Sequence, residues 1–523
     1  MNKKKSLFLL LAIPALVLGA CSDGDQSSSN ITSNPSSEPS SSSIEESSSS
    51  AIESSSSSEE PSSSASREAS SSSQASSSSS PQASSSSNTP KFEPYQAKVN
   101  VELGPSINSE REDPYNLEFT YDDNYFLKDA KAYDKDLSLL SFGSAIATES
   151  KEATVAFFNA GQFNDITPYG YESAPTADSV GYTLSHKNIN GSELIAVNVR
   201  GLSYGMEWQN NFLIGETGDH AGFIARANDI YQSIQSYITA KGIKNTLKLW
   251  ISGYSRGGAV SNALASVILR AENPIVAQSD MFVYTFEAPA CLDTSNCIAY
   301  ENVHNIINVN DLIPRVPPAK YGLGKCGVDY PIYDEDVSNI VKELDEDLVI
   351  PEFAQVESVD ADSNTVTLHN DAELVDFIID AVFNYKAAEG QEGYTANTRE
   401  EYYDNFQDDL GYMIGLIFAL SPKTRSEMLG DLSGMNMLLV ISSNESMSNF
   451  LKGYLDKDSI SYNEEGLLSA CNLFRNALLT VFLKVVLLYA NESYRPSLMR
   501  LIDMHYPETV YALLVNAHAK ADI

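Results

Sequence analysis

A serine becomes a nucleophile at neutral pH only when a neighbouring base takes its proton and nearby donors hold the oxyanion that follows. Residues 253–257 read Gly-Tyr-Ser-Arg-Gly, which puts Ser255 in a Gly-x-Ser-x-Gly spacing. The pentapeptide says little alone, but its flanks add to it. Leu247, Leu249 and Ile251 alternate before it, and Val260, Leu264, Val267 and Ile268 recur at helical intervals after it. Strand, sharp turn and helix together are the setting of a nucleophile elbow, where glycines let strand and helix backbones approach closely. In such a turn the backbone N–H of Arg256, next after the serine, is the expected first oxyanion donor. The chemistry also needs an imidazole and a carboxylate that fixes its tautomer. Asp311 closes the apolar run 302–310 and suits a carboxylate at a sheet edge, with a turn cap before Leu312 as its plainer role. For the base, His186, His220, His304, His369, His505 and His518 are the candidates.

Among the elements around these groups, residues 194–199 form a short apolar run that reads as a central parallel strand. Residues 220–240 carry Phe223, Ala227, Ile230 and Ile234 at helical spacing, and 281–290 and 302–310 read as further strands. Strands alternating with helices predict an α/β fold with an open, mostly parallel sheet. Upstream, 93–150 reads as an amphipathic helical entry, with Tyr133, Leu137, Leu140 and Phe142 on its buried side. A helix with Phe157 and Phe158, a glycine stop and a short strand follow, and 179–187 reads as another strand. After about Lys320 the pattern changes. A hairpin is expected over 353–370 with its turn at 360–364, then helices over 371–388, 399–420, 424–442, 445–456 and 464–491. The last is strongly apolar, but Arg475 and Lys484 interrupt it, which favours a core helix over a membrane span. Residues 320–495 thus read as a mainly helical cap inserted into a sheet domain that spans 93–523.

The order of these motifs resembles that of the class 3, or fungal-type, lipases. Ile195 to Gly201 is similar to their strand ending in Arg-Gly, and Glu207-Trp208 with Asn211-Phe212 to the segment after it. His220-Ala221-Gly222-Phe223 resembles their His-x-Gly-Phe helix start, and residues 309–318, VNDLIPRVPP, resemble the segment that carries their triad acid. Residues 505–511, HYPETVY, resemble the segment that carries their base. The resemblance covers about 190–320 and 503–512. It implies an α/β-hydrolase with helices on both faces of the sheet, acting on carboxylic esters. Ser255 would be its nucleophile, Asp311 its acid and His505 its general base. It makes the N–H of Leu202 the second oxyanion donor. No cysteine pair has zinc-site spacing with histidines, so no metal is expected, and no cofactor. Two departures stand out. No long amphipathic helix lies between Leu202 and His220 to serve as an interfacial lid, and 193 residues separate Asp311 from His505, far more than the family usually has. The expected cap would then stand in for the lid. The resemblance favours a lipid or short-chain ester as substrate. A catalytically silent module that binds a surface ligand is the rival expectation.

The first 21 residues read as a secretory signal: three lysines, an apolar run, then Leu18-Gly19-Ala20-Cys21, which resembles a bacterial lipobox and implies lipidation of Cys21. Residues 22–92 are mostly serine and cannot bury enough apolar surface to offset the entropy of ordering, so a disordered linker is expected. Together these describe a lipoprotein held at the bacterial cell surface, outside the cytoplasm, by its N-terminal lipid. A net charge of −36 excludes nucleic acid as a partner and opposes contact with anionic headgroups. With Cys21 acylated, Cys291, Cys297, Cys326 and Cys471 remain, and one bridge among the first three is expected for an exported chain.

Overall fold

The computed structural model describes residues 92–520, except 104–113, 172–175, 177, 202–204, 298–299, 345, 360–364, 384–395, 432–438, 441, 478–487 and 489–490. Cys21, the signal, almost all of the serine-rich stretch, Leu202, the turn at 360–364 and most of 478–491 therefore lie outside the described residues.

The chain enters as an antiparallel hairpin, β1 (Gln96–Leu103) and β2 (Tyr115–Asp122), rather than as helix. Leu117, Phe119 and Tyr121 recur with the period of two that belongs to a strand with one buried face. The helix expected in this region is confined to α1 (Lys135–Ala147), capped by the Asp134 side chain. It is not amphipathic. Most of its residues are buried, because the hairpin covers one side and the main sheet the other.

After α2 (Lys151–Ala160), strands β3 (Asp165–Tyr169), β4 (Tyr182–Ile189) and β5 (Ser192–Val199) run antiparallel to one another. Helix α3 (Ala221–Lys241) then crosses to β6 (Leu247–Tyr254), and α4 (Arg256–Arg270) leads to β7 (Met281–Phe286) and β8 (Val303–Asn308). The strand β9 (Val328–Ile332) completes a seven-stranded sheet of order β9-β8-β7-β6-β5-β4-β3, in which β5 to β9 are parallel. Residues 328–332 belong to the sheet and not to the cap, which corrects the expected boundary at 320. Their run Val-Asp-Tyr-Pro-Ile lacks the apolar density of a central strand, and its proline is tolerated because β9 is an edge.

Alternation in β6 shows how the sheet is covered on both faces. Leu249 and Ile251 join Ile195, Val197, Val199 and Val283 in a core packed against α3 and α4. Trp250 and Ser252 face the other way. The Trp250 indole donates to Ser141 Oγ at 2.8 Å, and Ser252 Oγ meets Ser144 Oγ at 2.8 Å, both on α1. Phe126, Phe157, Phe158 and Phe163 surround Trp250 on that face. Burying each such ring contributes roughly 2–3 kcal/mol.

The segment after β9 is mainly helical. It holds α5 (Val337–Leu344), the small hairpin β10 (Val356–Val359) and β11 (Thr365–Leu368), and then α6 (Asp371–Phe383). Helices α7 (Arg399–Asn405) and α8 (Gln407–Ala419) break at Phe406, where one helix was expected. There follow α9 (Pro422–Asp431), α10 (Asn444–Lys457) and α11 (Glu464–Ala477), with a core of their own around Met413, Met447, Leu451 and Cys471. The chain returns through α12 (Arg495–Asp503) and α13 (Pro507–Lys520). Among the described residues no helix is long and apolar enough to cross a membrane. The disulfide joins Cys297 to Cys326, leaving Cys291 and Cys471 as buried thiols.

Candidate active site

Three neighbouring parallel strands, β6, β7 and β8, end on the same edge of the sheet, and each delivers a polar residue there. Ser255 follows β6 directly. Its φ of +53° is a conformation that L-residues rarely adopt, and it turns the chain from strand into helix within one residue. The turn closes only because Gly257 lies against Val199, whose carbonyl oxygen would sit 2.3 Å from any Cβ there. A Cβ on Gly201 would likewise fall 1.8 Å from the Tyr254 carbonyl oxygen, so the loop after β5 is pressed onto the elbow. Ser255 N–H donates to the Phe286 carbonyl at 2.8 Å, which ties the elbow to the end of β7.

Asp311 lies three residues beyond β8. Its Oδ1 accepts the Ile313 N–H at 2.9 Å, and its Oδ2 lies 2.5 Å from His505 Nδ1. His505 sits in the short turn between α12 and α13, and its Nε2 lies 3.0 Å from Ser255 Oγ. Two anchors hold that turn: the Tyr254 hydroxyl donates to the His505 carbonyl at 2.7 Å, and the Asn308 side chain donates to the Met504 carbonyl at 2.8 Å. All three side chains are buried, and burial lowers the His505 pKa, favouring the neutral imidazole that can accept a proton.

The other histidines stand elsewhere. His186 pairs with Glu193 on the sheet's far side strands, and His304 is buried in β8 with its Nε2 on the Ala130 carbonyl. His220 caps α3, accepting the Phe223 N–H, and burial lowers its pKa to about 3. His369 precedes α6, where its N–H donates to Glu373, and His518 meets the Tyr133 hydroxyl. Only His505 of the six reaches Ser255. Arg256 is the first residue of α4, so its N–H stands at a helix N-terminus beside Ser255. Leu202 lies outside the described residues.

Two roles do not follow from the sequence, although Glu207 belongs to a matched motif. Glu207 is fully buried and bridges two guanidinium groups: Arg200 Nη2 donates to Oε1 at 2.7 Å, and Arg256 Nη1 to Oε2 at 3.1 Å. The bridge fastens the segment after β5 to the first residue of α4. Glu287 is the second. It follows β7, between the strands that carry Ser255 and Asp311, and hydrogen-bonds the Asp311 carboxyl. A carboxylate flanked by Phe-Val-Tyr-Thr-Phe and Ala-Pro-Ala, at a strand end beside the elbow, was the available signal.

A cavity opens at Ser255 and Arg256. Ile214, Phe223, Ile313, Val316, Tyr321 and Phe383 make most of its wall apolar. The cap supplies Phe383 and Tyr402 to it, and the sheet domain the rest. Arg399 of α7 is one of several ties between cap and sheet domain. Its guanidinium donates to the carbonyls of Gly215 and Gly218 at 2.8 Å, Ile214 at 2.7 Å and Asp219 at 3.5 Å. The Gly215 N–H is taken by Gln407 Oε1 at 2.8 Å, and the Tyr402 hydroxyl donates to the Phe212 carbonyl at 3.2 Å.

Residues 189–321 match the family model described as lipase (class 3). No protein of curated function matches the chain. Among solved structures, a triacylglycerol lipase with a serine-protease-like triad is similar at 17% identity over 39% of this chain and 83% of that one, with a TM-score of 0.30. The Rhizomucor miehei lipase propeptide complex is similar at 17% identity over 38% and 68%, with a TM-score of 0.29. Lipase II from Rhizopus niveus is similar at 17% identity over 40% and 81%, with a TM-score of 0.28.

Proposed function

We propose, for a chain that belongs over residues 189–321 to the class 3 lipases and is a carboxylic ester hydrolase, that hydrolysis runs through an acyl-enzyme on Ser255. The observation that carries this reading is the continuous hydrogen-bonded line from Ser255 Oγ through His505 to Asp311, at 3.0 and 2.5 Å. Ser255 Oγ attacks the ester carbonyl carbon and its proton passes to His505 Nε2. The negative charge on the former carbonyl oxygen is met by the Arg256 N–H and, by resemblance, by that of Leu202. Collapse of the tetrahedral intermediate expels the alcohol, which takes the proton from His505. Water then attacks the acyl-enzyme with His505 again as base, and releases the acid. Asp311 holds Nδ1–H throughout and offsets the imidazolium charge.

The apolar wall around Ser255 suits a hydrocarbon portion of the substrate, lipid or short-chain ester, rather than a charged one. The protein works, in this reading, at the bacterial cell surface, tethered through an acylated Cys21 by the serine-rich segment.

The test is hydrolysis of p-nitrophenyl esters from acetyl to palmitoyl by the full chain, beside Ser255→Ala. Activity is expected in the wild type, with kcat lower on the order of 10⁶-fold in the variant. The chain-length optimum then separates esterase from lipase. A chain that neither hydrolyses these esters nor reacts with a fluorophosphonate would instead be a silent binding module on a hydrolase scaffold.

A further inference from the structure

Glu287 has no part in the triad as drawn, yet it occupies the centre of the catalytic edge. It leaves β7, the strand that lies between those carrying Ser255 and Asp311. Its φ is +49°, so that two consecutive strand ends, at Ser255 and Glu287, both bend through a conformation unusual for residues other than glycine. Such strain persists only where surrounding contacts over-determine it, and here they do. The Glu287 N–H donates to the Ile306 carbonyl at 3.1 Å, and the Asn308 N–H reaches its two carboxyl oxygens at 2.8 and 3.1 Å. Its side chain is wholly buried and hydrogen-bonded to the Asp311 carboxyl.

Two carboxyl groups can share a hydrogen bond only if one of them holds a proton. Two adjacent buried anions would repel, which is why such pairs ionise in steps. The partners decide which group is charged. Asp311 faces the backbone N–H groups of Ile313 and Leu312 and the His505 Nδ1. Glu287 has the single Asn308 N–H. Burial raises the pKa of both carboxyls, Asp311 to about 8, but donors favour the ionised form, so the charge falls first on Asp311 and the proton stays on Glu287. The other ionisable groups that face the pair are His505 and, more distantly, Lys325, whose ammonium donates to the Pro314 carbonyl at 3.0 Å.

We propose that Glu287 is a positioning residue of the triad, a neutral carboxylic acid at working pH that donates its proton in a hydrogen bond to Asp311. This rests on the reading of Ser255, His505 and Asp311 given above. The O–H of Glu287 fixes the Asp311 carboxylate so that Oδ2 stays on His505 Nδ1. It also makes that carboxylate less basic, which keeps the proton on the imidazole when His505 takes up the one from Ser255. Only one negative charge is then held in the buried site. Asn308 joins the device to the base, since its N–H holds Glu287 and its side chain holds the Met504 carbonyl.

Glutamine is the discriminating replacement: its amide can donate to Asp311 and accept from Asn308, as the protonated acid does, without a titratable proton. In the full chain, Glu287→Gln is expected to keep kcat within about 3-fold of wild type. Glu287→Ala and Glu287→Leu are expected to lower kcat on the order of 10²-fold with KM little changed, as for loss of one preorganised hydrogen bond at the reacting centre. Thermal melts show whether each variant is folded. A separate readout needs no turnover. The infrared carbonyl stretch of a protonated carboxylic acid should be present in the wild type at neutral pH and absent from Glu287→Gln. If Glu287→Gln loses as much kcat as folded Glu287→Ala, or if Ala or Leu keeps kcat, the proposal is wrong. It is also wrong if the infrared band is missing from the wild type or survives in the Gln variant. Loss of Ser255 labelling by a fluorophosphonate in the wild type would instead overturn the triad reading, and the infrared result would still decide where the proton lies.

Discussion

At the scale of single residues, the site depends on where charge is permitted. Burial of Ser255, His505 and Asp311 keeps water from competing for their hydrogen bonds, but it also penalises any unpaired anion. A proton held on Glu287 makes a prediction about stability as well as rate. Burial raises its pKa well above the usual carboxyl range, whereas an unfolded glutamate loses its proton near its ordinary value. The folded state therefore binds one more proton than the unfolded state over the interval between those two values. Its stability then falls as pH rises, by about 1.4 kcal/mol per pH unit. Below that interval both states are protonated and nothing is lost. Glu287→Gln lacks the titrating group, so urea midpoints of wild type and variant should diverge in favour of the variant as pH is raised from about 5 towards 8. Parallel midpoints would mean that Glu287 titrates as an ordinary acid. The sequence exposed Ser255, Asp311 and His505 because each ends an apolar run or sits in a recognisable motif. It did not expose Glu287, whose meaning depends on being set beside Asp311, 24 positions away, by the pairing of β7 with β8.

At the scale of elements, the parallel strands and the elbow were legible because their hydrophobic runs are bounded by glycine and polar residues. The β1–β2 hairpin departs from the expected helix: residues 115–122 alternate as a strand does, but the helical pattern downstream of them overshadows that signal. The edge strand β9 was hidden for the opposite reason, having too little apolar content. The cap's attachment could not have been read at all. Arg399 meets Gly215 across 184 positions, and it does so through backbone carbonyls that carry no sequence signature. Its side chain stands where a mobile lid would be expected, tying α7 to the 205–219 segment with several charge-assisted bonds. Arg399→Ala should cost about 2–4 kcal/mol, within the range for losing charged hydrogen bonds and leaving carbonyls unmatched. Amide exchange in α7 and the first turns of α8 should accelerate, while β6 and α4 keep their protection. Unchanged exchange in α7 would show that the apolar contacts around Tyr321, Phe383 and Tyr402 suffice to hold the cap.

At the scale of the whole molecule, a net charge of −36 repels the protein from anionic headgroups, so adhesion by surface charge does not hold it at a membrane. In the proposed arrangement, retention falls to the acyl chains on Cys21. Cys21→Ala should then release hydrolytic activity from the membrane fraction into the soluble fraction of cells at any ionic strength, while the specific activity on p-nitrophenyl esters stays the same. Activity that still sediments with membranes in that variant would assign retention to another surface of the protein.

Ser255 precedes its base by 250 positions, and α6 to α11 are made between them. Synthesis runs from the N-terminus, and domains tend to fold as they emerge. The elbow segment is thus synthesised well before His505, the base of the proposed triad. In the proposed mechanism hydrolytic power therefore arrives late, when the turn between α12 and α13 docks under Tyr254 and Asn308. On that reading, a chain interrupted anywhere in the cap lacks its base and should be inert towards the esters of the cell that makes it.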